Sequence, residues 1–458
     1  MNLILIAVLL ALMALAYQIG LKKSKSVAGL GQNSAALHSR PGYYGLLVAL
    51  WCGIPAFLVF VFWSVAETSV IRHLVMSSLP AEMAAGLNEQ QLNVLMRRLS
   101  QIASGFGVNE PTQAELSAAA QLKGLQTTAM FAKIAVVIAI AMAGLAYARQ
   151  RISATLRARN SVEIVIKVAM ALCSVIAILT TVGIVLSMLG EAIRFFSFVS
   201  PMDFFFGTRW EPGFSTSGAS LGDYGLLPLL WGTLMVAGIA LLIAIPIGLM
   251  TAIYLAEYAS PKVRSYAKPT IEILAGIPTI VYGVFALLVL GPVFANIGDA
   301  IGLKVNATSA LTAGVVMGIM IIPFISSLSD DIITQVPRAM RDGSLGLGGT
   351  KSETIMKVVL PAALPGIVGA FLLAASRAIG ETMIVVLAAG NAPALHANPL
   401  EAVSTVTVMI VNQLTGDTDF ASPQSLVAFA LGLTLFTITL GLNVIALYIV
   451  RKYREQYD

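Results

Sequence analysis

The stretch RAMRDGSLGLGGTKSETIMKVVLP, residues 338–361, decides how the chain is read. It is a polar island in apolar surroundings: residues 305–329 before it carry no charge, and neither do residues 358–376, which overlap its end. A soluble loop held between two membrane helices is placed to meet something outside the bilayer. The spacing is specific: Asp342-Gly343-Ser344, three residues, Gly348, nine residues, then Val358-Val359-Leu360-Pro361. Glycines also serve ordinary turns, so the loop alone leaves both readings open. GLGGTKS (346–352) has the ingredients of a phosphate cradle in the wrong order. Thr350 stands between Gly349 and Lys351, whereas a nucleotide loop needs Gly, four residues, then Gly-Lys-Ser/Thr. The chain is therefore not expected to bind nucleotide.

Outward from the loop, composition sets the class. The 458 residues are 57% hydrophobic and 11% charged, where soluble domains carry about a quarter charged residues. An all-α, polytopic membrane protein is expected, not two or three soluble domains. The net charge of +5 does not point to nucleic acid, because basic residues collect at the inner ends of membrane helices. Cys52 and Cys173 lie apart in apolar runs and His38, His73 and His396 are scattered, so neither a disulfide framework nor a metal site is expected. No nucleophile triad or pair of catalytic carboxylates stands out, and no cofactor is expected on this chain.

About nine spans follow from the apolar runs: 1–20, 44–66, 129–148, 168–190, 224–256, 272–295, 307–327, 364–389 and 424–450. The first carries its positive charge after the apolar core (Lys22, Lys23, Lys25), which fits an uncleaved helix with its N-terminus outside. The run 224–256 is long enough for a tilted helix plus a reentrant or interfacial piece. Between spans two and three, residues 67–128 are of mixed charge, and Leu92, Leu95, Met96, Leu99 and Ile102 recur at helical spacing. Pro111 is placed to open a further helix, so a small helical domain outside the membrane is expected there, a mere linker being the alternative. Lys133 stands near the outer end of its span, where it can snorkel. The aromatic stretch 191–223, with Trp210 and a Phe cluster, suits an outer interfacial belt. Pro246, Pro278, Pro292, Pro323 and Pro365 are expected to remove helix hydrogen bonds or kink the axes, and Gly238, Gly276, Gly314, Gly318 and Gly369 to allow close helix contacts.

With this topology eighteen of the 28 Lys and Arg fall in inside segments and seven outside. That asymmetry places the 338–361 loop and the C-terminus in the cytoplasm and the N-terminus outside.

The helix after the loop holds a second unusual feature. In SRAIGETM, Arg377 and Glu381 interrupt an apolar run that is otherwise uncharged over 358–376 and 382–400. An ionised group near mid-membrane costs ~2.5–3.5 kcal/mol on the insertion scale, so such residues face the bundle interior or a wet path. At i and i+4 they share a helix face and can pair. Arginine stays charged and offers a fork matched to an oxyanion, and a nearby carboxylate can hold the arginine when no anion is present. A salt bridge that only pins helices is the alternative.

The spacing in the loop resembles the cytoplasmic docking loop of ABC-importer permeases, the binding-protein-dependent transport system inner-membrane components. Their consensus is Glu-Ala-Ala, three residues, Gly, nine residues, Ile-x-Leu-Pro. Here Glu-Ala-Ala is degraded to Asp342-Gly343-Ser344, while Gly348, Leu360 and Pro361 keep their places. Arg-Ala-Ile-Gly-Glu-Thr (377–382), AGIPTIVYG (275–283) and Gly390-Asn391 resemble the phosphate-specific branch of that family. The resemblance spans roughly 160–458. It implies a MetI-like six-helix permease domain over 158–458 whose 330–361 loop docks on an ATPase. Residues 1–157 are then an extension with about three spans and the 67–128 segment outside. It implies that Arg377 and Glu381 lie on the phosphate path. It also implies partners: a second, similar permease subunit, a cytoplasmic ATPase dimer that hydrolyses the ATP, a periplasmic phosphate-binding protein, and membrane lipid, in a bacterial inner membrane. A permease for another oxyanion such as sulfate or molybdate, an ATP-independent channel or secondary transporter, and a membrane-anchored scaffold relying on 67–128 remain as rivals.

Overall fold

A span ends in sequence where charge begins, but a helix need not. The computed structural model describes residues 2–29, 37–78, 89–105, 112–212, 222–416 and 422–453. They form two units, Met1–Ile178 and Leu179–Asp458, where the sequence reading divided the chain at 157/158. Nine helices among the described residues are long and apolar enough to cross a membrane.

In the first unit, α1 (Asn2–Gly29), α2 (Pro41–Ser78) and α4 (Gln113–Gln150) pack side by side, with α3 (Glu89–Ala103) between α2 and α4 in sequence. Tyr44, Val48, Cys52, Ala56 and Phe60 recur every four residues along α2 and meet Val137, Ala141 and Leu145 of α4. The small ones among them, Cys52, Ala56 and Ala141, let helix backbones approach in lipid. At 38 residues each, α2 and α4 are about 57 Å long, nearly twice the hydrocarbon thickness. Their ends therefore run on beyond the expected 44–66 and 129–148. There Ile71 and Val75 of α2, Leu99 of α3 and Ala118 and Leu122 of α4 form a second small core. The 67–128 region is thus a head built by extended spans clasping one added helix. The helical spacing around Leu95, Met96 and Leu99 is what packs. Leu92's side chain and Pro111 lie outside the described residues. The start of α4 is fixed instead by a capping box, in which Thr112 and Glu115 satisfy each other's backbone N–H groups.

Lys133 departs from expectation. It does not snorkel. It is 5% exposed, with Nζ 2.7 Å from Glu67 Oε2 and 3.2 Å from Asn2 Oδ1. One ammonium ties α1, α2 and α4 together, because a carboxylate and an amide are within reach inside the bundle while water is not.

In the second unit, α5 (Ala158–Phe196, begun in the first unit) leads into α6 (Pro201–Phe206) and a two-stranded antiparallel ladder, β1 (Trp210–Glu211) with β2 (Asp223–Tyr224). Part of the expected outer belt is a core here, while Phe198 and Phe205 stay exposed. Phe195, Phe204, Trp210 and Tyr224 are buried edge to face, Trp210 only 3% exposed, while Phe206 stays open. The ladder folds Trp210 onto Tyr224, which hides the rings from the interface they were expected to occupy.

The remaining elements are α7 (Leu227–Ile253), α8 (Pro261–Ala275), α9 (Thr279–Phe285), α10 (Gly291–Ala300) and α11 (Ala310–Gln335). After them come α12 (Arg338–Gly346), α13 (Lys351–Thr354), α14 (Leu360–Ile379), α15 (Met383–Ala388), α16 (Val406–Gly416) and α17 (Pro423–Tyr453). The centre is α11 against α7, where Val236, Ala237, Ala240 and Ala244 face Ala313, Val316, Met317 and Met320. Of the glycines expected at close contacts, Gly318 is one: a Cβ there would lie 3.0 Å from the Ala240 carbonyl oxygen. Gly238 faces open space.

The run 224–256 has no reentrant piece. α7 passes directly into a π-helical turn, Tyr254–Tyr258. Two further π turns, Ala286–Leu290 and Ile355–Val359, each end two residues before a proline, Pro292 and Pro361. Proline clashes with the carbonyl four residues back, and that carbonyl lies in the middle of the widened turn. The π turns thus let the helices run on through both prolines. Pro278 is not inside a span but caps α9 after the break at Gly276, so that span begins at Thr279, seven residues later than expected. Between the expected spans 364–389 and 424–450 lies the short apolar α16, whose Val406, Val408 and Met409 are buried.

The elbow and the broken helix

The quoted loop folds as an elbow. α12 follows Pro337 and ends at Leu347, and the chain reverses at Gly348 with φ +89°. That left-handed conformation costs a side-chain-bearing residue about 1–2 kcal/mol, which explains the glycine. Thr350 and Glu353 then form a capping box that starts α13. Ser344 Oγ meets Thr354 Oγ1 at 2.9 Å and the Gly349 N–H donates to the Ser344 carbonyl at 3.1 Å, closing the elbow on itself. Leu360 and Pro361 lie at the start of α14, past the π turn. Asp342 and Gly343 are on the open side, with Leu345 47% and Leu347 91% exposed. α12 buries no residue. α12 thus has one side bonded and the other presenting leucine beside a carboxylate to the outside of the bundle.

Charge locks the ground beneath it. Asp330, 1% exposed, receives Arg264 at 3.0 Å and Lys268 at 2.7 Å from α8, and Lys268 also reaches Asp331 at 3.1 Å. The hydrogen bond to Asp330, with Asp331 beside it, holds the Lys268 ammonium above the usual lysine range. Arg341 of the elbow bonds Glu257 at 3.0 Å, and Lys351 lies over the Tyr258 ring at 5.0 Å. None of these partners was singled out in the sequence. The available signal was opposite charge at facing span ends: acids at 330–331, bases at 264 and 268.

The second site corrects an expectation. Arg377 and Glu381 do not share a helix face. α14 ends at Ile379, Gly380 to Thr382 leave the helix, and α15 starts at Met383. Among the ion pairs of the described residues, none joins the two. The Glu381 carboxylate instead accepts from the backbone N–H of Met383 at 3.1 Å and of Ile384 at 3.4 Å. Thr407 Oγ1, at the start of α16, donates to the Glu381 carbonyl at 2.9 Å. The reason is local: orphan N–H groups at a helix start lie nearer the carboxylate than the guanidinium does once the helix has broken.

Arg377 is exposed, and its guanidinium carbon lies 5.4 Å from the Phe324 ring centroid. Phe324 is near the middle of the 26-residue α11, so the cation and the break stand at mid-height of the bundle. Irregular backbone at such a depth is tolerated where it is buried in protein or lines a wet cavity, and half-helices that meet at mid-depth are a way of building transport sites. Phe324 had no signature beyond its place in an apolar run.

Comparison with known proteins now has a geometry to refer to. Residues 244–455 match the family described as binding-protein-dependent transport system inner membrane component, and residues 6–180 match one described as phosphate ATP-binding cassette transporter. The chain is 33% identical over 271 residues to the probable ABC transporter permease protein YqgH of Bacillus subtilis, covering 58% of this chain and 84% of that protein. It is 35% identical over 271 residues to the phosphate transport system permease protein PstC of Xylella fastidiosa, covering 56% and 81%. Among solved structures it is similar to a bacterial ABC transporter involved in alginate import, with 17% identity, 66% of this chain and 100% of that chain covered, and a TM-score of 0.45. A multi-pass chain with an exposed elbow and a helix broken at mid-height of the bundle, matched over four-fifths of such relatives, belongs to the binding-protein-dependent transport system inner membrane components, the non-enzymatic permeases of ABC transporters.

Proposed function

We propose that this chain is one of two permease subunits of an ATP-driven importer carrying inorganic phosphate across a bacterial cytoplasmic membrane. Arg377 is the observation that carries the reading. It is a permanent cation at mid-height with no anionic side chain paired to it among the described residues, beside a stretch of non-helical backbone. Lipid is a poor neighbour for both. A second, similar permease subunit closing over this face gives them a watered interior instead. The guanidinium then offers a planar fork to a tetrahedral oxyanion. Glu381 is occupied by two backbone N–H groups, so it contributes negative charge near the path without neutralising the arginine. That balance suits passage better than capture.

The elbow supplies the drive. Its open face, with Asp342, Gly343, Leu345 and Leu347, takes one copy of a cytoplasmic ATPase dimer. The charge asymmetry supports a cytoplasmic elbow and C-terminus and an external N-terminus, with the head at residues 67–128 outside. A secreted phosphate-binding protein delivers the substrate at the opposite end. The test is uptake of labelled phosphate into proteoliposomes holding the full complex. Uptake should require both ATP and the ATPase subunit, and sulfate or molybdate should compete poorly. Uptake that persists without ATP, or that sulfate abolishes at equal concentration, overturns the reading.

A further inference from the structure

The elbow helix α12 buries no residue. Among the described residues, its hydrophobic hold on the bundle is the half-buried Met340, set against a small core that includes Ala252, Ile333, Val336 and Val359. Its firm inward connection is one guanidinium. Arg341 bonds Glu257 through Nε at 3.1 Å and Nη2 at 3.0 Å. It also donates through Nη2 to the Ile333 carbonyl at 2.7 Å and through Nη1 to the Val336 carbonyl. Ile333 is in the last turn of α11, where its carbonyl also accepts from the Val336 N–H, and Val336 is the residue that caps that helix. Glu257 belongs to the π turn that ends the α7 helix. The side chains of Arg341 and Glu257 are 18% and 11% exposed, so water competes little for the contact. A single side chain therefore joins the elbow, the α11 terminus and the α7 terminus, and α7 and α11 are the pair at the centre of the unit. Apolar packing this sparse lets an elbow slide. A rigid five-donor fork on three acceptors does not.

We propose that Arg341 and Glu257 are positioning residues for transport: the clamp through which displacement of the elbow is handed to α7 and α11. The π turn at 254–258, already released from regular α-helical bonding, is the joint that lets the α7 end follow the elbow without breaking the helix above it. This rests on the proposed function, since it needs an ATPase acting on the elbow.

The experiment uses the complete complex in proteoliposomes and reads phosphate moved per ATP hydrolysed, together with the amount of ATPase subunit retained. Glu257→Gln keeps an acceptor but removes the charge. Arg341→Lys keeps the charge but removes the fork. Each is expected to hold the ATPase subunit at wild-type stoichiometry while phosphate per ATP falls about tenfold, within the range of inter-site couplings. Arg194→Gln, which opens an exposed ion pair with Glu191, is the control and should keep the wild-type ratio. A wild-type ratio in both clamp variants overturns the clamp and leaves the proposed function standing. Loss of the ATPase subunit from both variants also overturns it, because the pair is then assembly glue. Absence of ATP-dependent uptake in the unsubstituted complex overturns both.

Discussion

Lys133 and Arg377 look alike as letters: one cation inside an apolar run. The fold treats them in opposite ways. Lys133 is buried and neutralised within its own unit by Glu67 and Asn2. Arg377 is exposed, with its guanidinium over the Phe324 ring. Both obey the rule that intramembrane charge must be compensated. The first meets it inside the chain and so has a structural task. The second has no ion pair among the described residues, which is what the proposed transport role needs.

The comparison breaks most visibly at the buried pair. Lys133→Met strands Glu67 and is expected to destabilise the first unit by about 3–5 kcal/mol, while Lys133→Met with Glu67→Met recovers most of that. Thermal unfolding of the purified complex measures both, and uptake per folded complex should not change. Arg377→Gln should do the reverse, lowering phosphate uptake about a hundredfold, the scale of losing one charge-stabilising donor, with the unfolding midpoint unmoved. If Arg377→Gln instead melts the protein early while folded complexes transport normally, the two cations are alike after all. Gly348→Ala is expected to cost about 1–2 kcal/mol from backbone strain alone, since a Cβ there meets nothing. The loss should appear as weaker ATPase recruitment in pull-down. Smallest, Glu381→Ala removes the carboxylate that caps α15 and should cost about 1 kcal/mol. Uptake should fall less than for Arg377→Gln, because the carboxylate is bonded to backbone and not to the arginine.

Much of the architecture could be read from letters. Apolar runs of span length are a bulk property of the chain, and nine were legible. The elbow was legible too, because a polar island between spans and a glycine at a fixed distance are local signals. Charge misled about helix ends: Arg72 and Lys123 lie beyond the expected spans, yet α2 and α4 run through them and build the head. The aromatic stretch misled for a similar reason, since its composition suits an interface until the short ladder turns Trp210 inward. α16 was missed because eleven residues are too few to span and its burial depends on α7 and α17 around it.

Hydropathy and spacing settle that this chain lives in a membrane and roughly where it crosses, and they single out one polar loop between spans, because those follow from transfer energies and chain geometry summed along the sequence. They do not settle which charges meet. Arg377 and Glu381 are four letters apart and separated by a helix break, whereas Lys133 and Glu67 are 66 apart and in contact. Pairing is decided by which groups the packed helices bring within 3 to 4 Å, and a one-dimensional pattern holds that distance only while a helix stays unbroken.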